Sequence, residues 1–324
     1  MIEFHLFHSS DSRRHEFDAL FKQMNPGMPQ APLLGEENCL IGRRSGQVVA
    51  KASLQLVEDL AHAPGVTGLI GHYDAVDNEA GSALLKEACG RLSERGAARI
   101  VGPMNGSTWG GYRLALPGGE SPFLGDVINP ENYPAHFEQA GFSVVESYQS
   151  RVVDQLAHRS KMAEKIDKRF HRLGGKIVPM DMGSFERQLH EIYELSCLSF
   201  ADNLYYRDIP FSLFEAMMTP MKPLLNPELI LLAYQASGKL AAIIFAYPDT
   251  VDSKRVVLKS LATAPKARSL GLGLALIDRI HKAAYRLGYS SVIHALMHDD
   301  NVSLRLSKEY ESHVIRRYAL FQWK

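Results

Sequence analysis

The feature that most limits the fold is a shift of 192 residues at which the chain matches itself. It sets Gly81 against Gly273, Leu84 against Leu276, Leu85 against Ile277, Gly96 against Gly288 and Ile100 against Val292. Apolar meets apolar and glycine meets glycine. Around these anchors the hydrophobic periodicity spells one order twice: strand, helix, hairpin, strand, helix, strand, short helix, strand. A chain of 324 residues has room for two such units.

In the first copy, residues 1–7 alternate as an edge-like strand and 11–24 form a helix with Asp11 near its cap. Residues 39–44 and 47–57 make a hairpin around Ser45-Gly46, followed by a strand at 68–76, a helix at 79–96 and a buried strand at 99–103. A short helix at 132–140 stops at Gly141, and 142–153 runs on as strand. Residues 151–173 are charged, helix-prone and without a fixed apolar period, so they read as a connector. The second copy places a strand at 176–182, helices at 185–200 and 211–218, and a hairpin of buried strands at 229–234 and 240–247. A strand at 256–262, a helix from 272, a strand at 291–297, a helix at 302–309 and a strand at 314–321 follow.

Between strand and helix in the second copy stands Arg268-Ser-Leu-Gly271-Leu-Gly273-Leu274. Two glycines let a backbone approach a ligand closely, and the unpaired N–H groups of a helix's first turn, with its dipole, favour an anion. Arg268 adds a planar cationic fork. The turn has the character of a pyrophosphate cradle. Its counterpart in the first copy has Val76 where Arg268 stands, Asp77 opposite Ser269 and Glu79 opposite Gly271. Two carboxylates and no arginine oppose a pyrophosphate, so the first copy keeps the scaffold without the cofactor.

Lys plus Arg and Asp plus Glu number 36 each, so no global field recruits nucleic acid or an anionic membrane. Cys39, Cys89 and Cys197 are odd in number and far apart, which suits reduced, buried thiols in a cytoplasmic protein. The N-terminus lacks the pattern of a signal peptide, and the apolar stretch 229–247 is broken by Gln235-Ala-Ser-Gly-Lys239, so no membrane span is expected. His294 and His298 are four apart on a predicted strand with no third partner, and metal binding is not expected.

The motif Arg268-Ser-Leu-Gly271-Leu-Gly273, approached through Leu261-Ala-Thr263-Ala-Pro265, resembles the cofactor motif of the GNAT superfamily of N-acetyltransferases. Asp299-Asp-Asn301 to Lys308 is similar to that family's asparagine-led fourth helix, and Tyr133 to Phe142 resembles its helix ending in Gly-Phe. The resemblance covers residues 176–324 well and 1–155 more loosely. It implies an α/β (α+β) fold of two tandem GNAT-like domains, each a mixed, mostly antiparallel sheet flanked by helices. Their expected extents are 1–155, with a degenerate cofactor site, and 176–324, joined by a connector at 156–175.

The resemblance further implies that acetyl-CoA is the co-substrate. Arg268, Ser269, Leu270, Gly271, Leu272, Gly273 and Leu274 would hold its pyrophosphate, the backbone of Leu261, Ala262 and Thr263 would pair with its pantetheine arm, and Asn301 and Lys308 would lie near its other end. Direct attack by a neutral amine needs a base, an oxyanion donor near Ala262 and an acid for the leaving thiolate. The family's helix tyrosine is absent here, where Leu306, Ser307 and Lys308 stand; Tyr310 and His294 are the candidates.

The long loop 105–130 offers Trp109 and Tyr112 as acceptor contacts, and the resemblance adds Asn203, Tyr205, Tyr206 and Arg207 from the loop between the first two helices of the second copy. The expected partner is a small-molecule amine, the protein a monomer (an internal pseudo-dimer) or a homodimer. A Fem-type aminoacyl transferase and a non-catalytic acyl-CoA-binding module stand as alternatives.

Overall fold

A computed structural model describes residues 1–28, 30, 33, 37–158 and 160–323. The first copy runs β1 (Glu3–His8), α1 (Arg14–Met24), β2 (Asn38–Arg44), β3 (Gln47–Val57), β4 (Thr67–Ala75), α2 (Asn78–Glu94), β5 (Arg99–Gly102), β6 (Leu114–Ala115), α3 (Tyr133–Gln139) and β7 (Phe142–Val153). After α4 (Lys161–Arg172) the second runs β8 (Lys176–Pro179), α5 (Phe185–Phe200), α6 (Phe211–Met218), β9 (Ile230–Tyr234), β10 (Leu240–Pro248) and β11 (Arg255–Thr263). It ends with α7 (Leu272–Arg286), β12 (Ser291–His298), α8 (Val302–Lys308) and β13 (His313–Trp323).

The strands join one mixed, mostly antiparallel sheet in the order β1-β2-β3-β4-β5-β13-β7-β12-β11-β10-β9-β8, with β6 added to β13. Only β4 with β5 and β11 with β12 run parallel. The last strand of each copy has crossed over: β13 pairs with β5 of the first copy, and β7 with β12 of the second. β7 and β13 then pair antiparallel with each other from Val152–His313 to Phe142–Trp323, which closes the two sets of strands into one sheet.

The 192-residue shift survives in three dimensions. Gly96 and Gly288 end α2 and α7 with φ of 90° and 87°, the left-handed backbone that a helix C-terminus favours in glycine. The hairpin turns carry Gly46 and Gly238 at 79° and 80°, again 192 apart. Leu84 and Leu276 are fully buried, each contributing roughly 2 to 3 kcal/mol by leaving water. α2 covers one apolar core with Ile70, Ile100 and Phe137, and α7 covers another with Ile244, Val256 and Val292.

Two expectations need correction. α1 begins at Arg14 rather than Asp11, because the Asp11 carboxylate takes the Arg13 N–H at 2.9 Å and its guanidinium, which closes a turn instead of a helix. The connector is not an unpatterned charged stretch: residues 151–153 finish β7, and α4 buries Ala163 and Phe170. Ser160 caps α4 by accepting the Ala163 N–H at 3.2 Å, and Asp167 ties it to Arg279 of α7. Cys39 and Cys89 are buried and Cys197 partly so, all three free; burial pushes the Cys39 thiol up to about 11 and the Cys89 thiol to about 12. Among the described residues no helix is long and apolar enough to cross a membrane.

Candidate active site

The glycine turn folds as its sequence requires. Residues 265–270 make a short 3-10 helix, Gly271 turns the chain with a φ of 71°, and α7 starts at Leu272. No side chain caps α7, so its first N–H groups are not satisfied in that way. A Cβ on Gly273 would stand 3.1 Å from Leu306 and 3.4 Å from Leu261, which shows how closely the turn sits against β11 and α8. Arg268 is half-exposed, reaching the Ser199 carbonyl at 3.4 Å and Asp202 at 3.8 Å.

Beside this turn the sheet opens. β11 and β12 pair only from Arg255–Ser291 to Leu258–His294; beyond that β11 stays with β10 while β12 pairs with β7 at Met297–Gln149 and His298–Tyr148. Leu296, with a φ of 55°, marks the bend and gives its N–H to Ser150 Oγ at 3.0 Å. On β11 the ladder steps from Ser260–Phe245 to Leu258–Ala246, leaving Lys259 as a bulge residue.

Backbone alternation then singles out one N–H that faces the gap. Ala264 gives its N–H to the Ala241 carbonyl at 2.8 Å, so the two-residue period turns Ala262 N–H toward β10 and those of Leu261 and Thr263 toward the gap. Thr263 N–H is taken by Ser199 Oγ at 3.2 Å. Leu261 N–H is the one left facing the opening.

In the first copy the same place is shut. Met104 N–H donates to the Ile70 carbonyl and His72 N–H to Asn105 Oδ1 at 2.7 Å, bridging β4 to the chain after β5. A Cβ on Gly71 would lie 2.5 Å from the Met104 carbonyl. At the start of α2, Asp77 caps the helix by accepting the Ala80 N–H at 2.8 Å, and Arg44 pairs with both Asp77 and Glu79. The helix end that could hold a phosphate is occupied by the chain's own carboxylates.

A cavity of about 920 Å³ reaches from the opening between β11 and β12 across to the first copy. Its walls include Ser260, Leu261, His294, His298, Asn301 and Ser303 from the second copy, and Asn105, Trp109, Tyr112, Arg113, Glu146 and Tyr148 from the first. Glu146 and His298, on neighbouring elements, hydrogen-bond directly. His298 Nδ1 accepts the Asp300 N–H at 3.1 Å, which places the neutral ring's proton on Nε2, toward the Glu146 carboxylate. That geometry orients a carboxylate able to receive a proton inside the cavity.

The expected residues divide. Trp109, Tyr112, Asn203, Tyr206, Leu261, His294 and Asn301 line the cavity, whereas Tyr205, Arg207, Ala262, Thr263, Lys308, Tyr310 and the turn 268–274 do not. The turn lies directly behind Leu261. Trp109 packs on Phe200, Tyr206 and Phe214 and gives its indole N–H to the Arg207 carbonyl at 3.1 Å. Tyr205 instead locks the copies together: its N–H reaches the Ala61 carbonyl at 2.9 Å and its hydroxyl reaches Gln322 at 3.1 Å. Asn301 caps α8 by accepting the Ser303 N–H at 3.0 Å.

Both candidate proton donors are buried. Tyr310 follows the end of α8 into the interior, where it is 2% exposed with its ring centre 4.5 Å from that of His281, edge to face, and its hydroxyl 3.5 Å from the Leu274 carbonyl. His294 shares a 2.9 Å hydrogen bond with His281, and burial, aided by the Arg151 charge, lowers it to about 4; at neutral pH it holds no exchangeable extra proton. Glu146, His298, Arg113 and Lys259 also line the cavity without having been expected in a site. Only His298 had been singled out, through its spacing from His294, and among the described residues no metal-binding cluster exists.

Residues 189–308 match the model of the acetyltransferase (GNAT) family. No curated protein matches the chain. Among solved structures it is similar to a probable N-acyltransferase of Enterococcus faecalis V583, at 13% identity over 99% of this chain and 72% of that one, with a TM-score of 0.61. It is similar to a tandem GNAT protein from the clavulanic acid biosynthesis pathway, at 12% identity over 99% and 98%, with a TM-score of 0.52. It is also similar to the glucosamine N-acetyltransferase region of a fungal multi-domain GH3 β-N-acetylglucosaminidase, at 14% identity and a TM-score of 0.57; all of this chain spans 38% of that one. At these identities the likeness is one of fold.

Proposed function

We propose that the chain, whose residues 189–308 match the GNAT acetyltransferase family model, transfers an acetyl group from acetyl-CoA to a primary amine of a small molecule or amino acid derivative. The observation that carries this reading is the parting of β11 from β12 after Leu258 and His294, beside an uncapped helix start and at the mouth of the cavity. Acetyl-CoA supplies an acyl group activated as a thioester. Arg268 and the amides from Ser269 to Leu274 face its pyrophosphate, with the α7 dipole adding to the attraction. Leu261 N–H donates to the carbonyl oxygen as charge develops there.

Glu146, oriented by His298, takes the proton that the amine sheds on attack; the C–S bond breaks as the amide forms, and the CoA thiolate leaves to be protonated by water. Trp109 and Tyr206 form the apolar side of the acceptor space. The first copy serves as a wall and not as a second cofactor site, since Met104, Asn105 and Asp77 fill the equivalent positions. The test is thiol release from acetyl-CoA against a panel of primary amines. Amine-dependent release that Glu146→Gln suppresses supports the reading; tight cofactor binding with no release against any amine favours a binding module instead.

A further inference from the structure

Two cations in the cavity wall have no carboxylate of the described residues within ion-pair distance. Arg113 is 8% exposed, its guanidinium 3.9 Å from the Tyr112 ring centre and 4.0 Å from that of Tyr148. Its Nε donates to the Tyr112 carbonyl at 3.2 Å and its Nη1 to the Leu296 carbonyl at 3.2 Å. Nη2 hydrogen-bonds to no described residue, and no carboxylate of the described residues lies within ion-pair distance. The backbone holds the residue in place with a φ of 74° and an N–H bond to the Pro103 carbonyl at 3.0 Å. Two rings and two carbonyls fix a flat fork that cannot swing out to water.

Lys259 is the second cation. As the bulge residue of β11 it is aimed off the ladder, and its ammonium rests on the Gly125 carbonyl at 2.8 Å. Burial first, and then the Arg113 charge, lower it to about 8 against an opposing pull from the Asp126 carboxylate. The carboxylates of the same cavity are already matched: Asp126 by Arg316 at 2.8 Å and Tyr318 at 2.7 Å, Glu146 by His298, and Asp74 by Lys51 at 3.3 Å. Asp202 and Asp300 are exposed at the rim. The wall thus holds an excess of positive charge at one place, beside the Ser260–Leu261 end of the opening.

We propose that Arg113 and Lys259 form a subsite for an oxyanion on the acceptor, so that the amine acylated here is one bearing a carboxylate or phosphoryl group. The fate of the amine rests on the acyl-transfer reading; the anion subsite itself does not. A charge-assisted hydrogen bond from the Arg113 Nη2 fixes the acceptor's orientation, Lys259 adds charge beside it, and the carbon skeleton lies on Trp109 and Phe214.

The experiment compares L-phenylalanine with phenethylamine, L-leucine with isopentylamine, and the aminophosphonate analogue of phenylalanine. Both thiol release from acetyl-CoA and direct calorimetric binding are followed, in wild type, Arg113→Gln and Lys259→Gln, each checked for folding by circular dichroism. The proposal expects the anionic member of each pair to be preferred at least tenfold in kcat/KM. It expects either variant to raise its KM at least tenfold while the neutral amine changes less than twofold. A higher affinity for the phosphonate than for phenylalanine assigns the subsite to phosphoryl groups, the reverse to carboxylates. Equal use of both members of each pair, unaltered by either variant, overturns the proposal and leaves acyl transfer standing. If no amine releases thiol, the acyl-transfer reading fails and the calorimetry decides: binding of the anionic probes lost in either variant keeps the subsite, and no binding removes it. Should Arg113→Gln not fold, Lys259→Gln, at a half-exposed position, carries the same comparison.

Discussion

Met104 N–H donates to the Ile70 carbonyl at 2.8 Å, across the gap that stays open beyond Leu258 and His294 in the second copy. One sheet therefore holds the same parallel strand pair twice, once sealed by the following loop and once parted. The difference lies in what fills the gap and not in the strands. Sealed, the pair supports the fold; parted, it leaves β11 with an unpaired edge, which is costly unless a ligand or water uses it.

Gly81 and Gly90 of α2 should respond oppositely to alanine. A Cβ on Gly81 would lie 2.3 Å from both Tyr73 Oη and His136 Nδ1, which bond to each other at 2.7 Å. Gly90 is exposed with nothing within 4 Å of the added atom. Urea unfolding should show Gly81→Ala destabilised by about 2 to 3 kcal/mol and Gly90→Ala stabilised by about 0.8 kcal/mol. Equal effects would contradict the close approach of Gly81 to the Tyr73–His136 pair.

The buried His294 makes stability pH-dependent. Its folded pKa of about 4 lies below the 6.5 of an unfolded histidine, so between those values the unfolded chain binds more protons. Stability contributed by keeping the ring neutral is complete above pH 6.5 and is lost as pH falls toward 4, by roughly 3 kcal/mol at most. Denaturation at pH 7, 5.5 and 4.5 should show a steeper decline for wild type than for His294→Gln. Parallel declines would mean that the ring is hydrated in solution.

Replacing Glu146 with glutamine keeps the bond to His298 but removes the proton acceptor. A fall in kcat of about a hundredfold is expected, with affinity for acetyl-CoA unchanged in calorimetry. An unchanged kcat would assign the proton transfer to water or another group.

Lys259 loses its charge near pH 8. Its pKa is depressed, so the cation is present below that value and lost above it. Binding of N-acetyl-phenylalanine, whose carboxylate stays ionised throughout, should weaken several-fold between pH 7 and 9, and Lys259→Gln should abolish that dependence. A flat profile in wild type would remove Lys259 from the anion subsite.

Much of this architecture is legible in residue order because it is local. The helix at Phe185–Phe200 follows its apolar stripe, and Gly96 and Gly288 mark two helix ends because only a left-handed backbone fits there. The crossing of β7 and β13 is not legible, since either strand could pair with either copy and periodicity does not name a partner. The cavity wall is hidden for a similar reason. Glu146 and His298 lie 152 positions apart and meet only because β7 crosses to β12. Lys259 is aimed by a bulge that leaves no mark in the alternation of β11, and nothing in residue order shows that the turn after Lys308 carries Tyr310 inside.

The central claim is that one chain holds one acetyl-CoA, at the second copy's glycine turn. Isothermal titration calorimetry of the whole chain tests it directly, with Gly271→Glu as control. The account predicts a stoichiometry of one in wild type and no measurable binding in the variant, whose circular dichroism should match wild type. Two sites per chain, or unchanged affinity in Gly271→Glu, would contradict it.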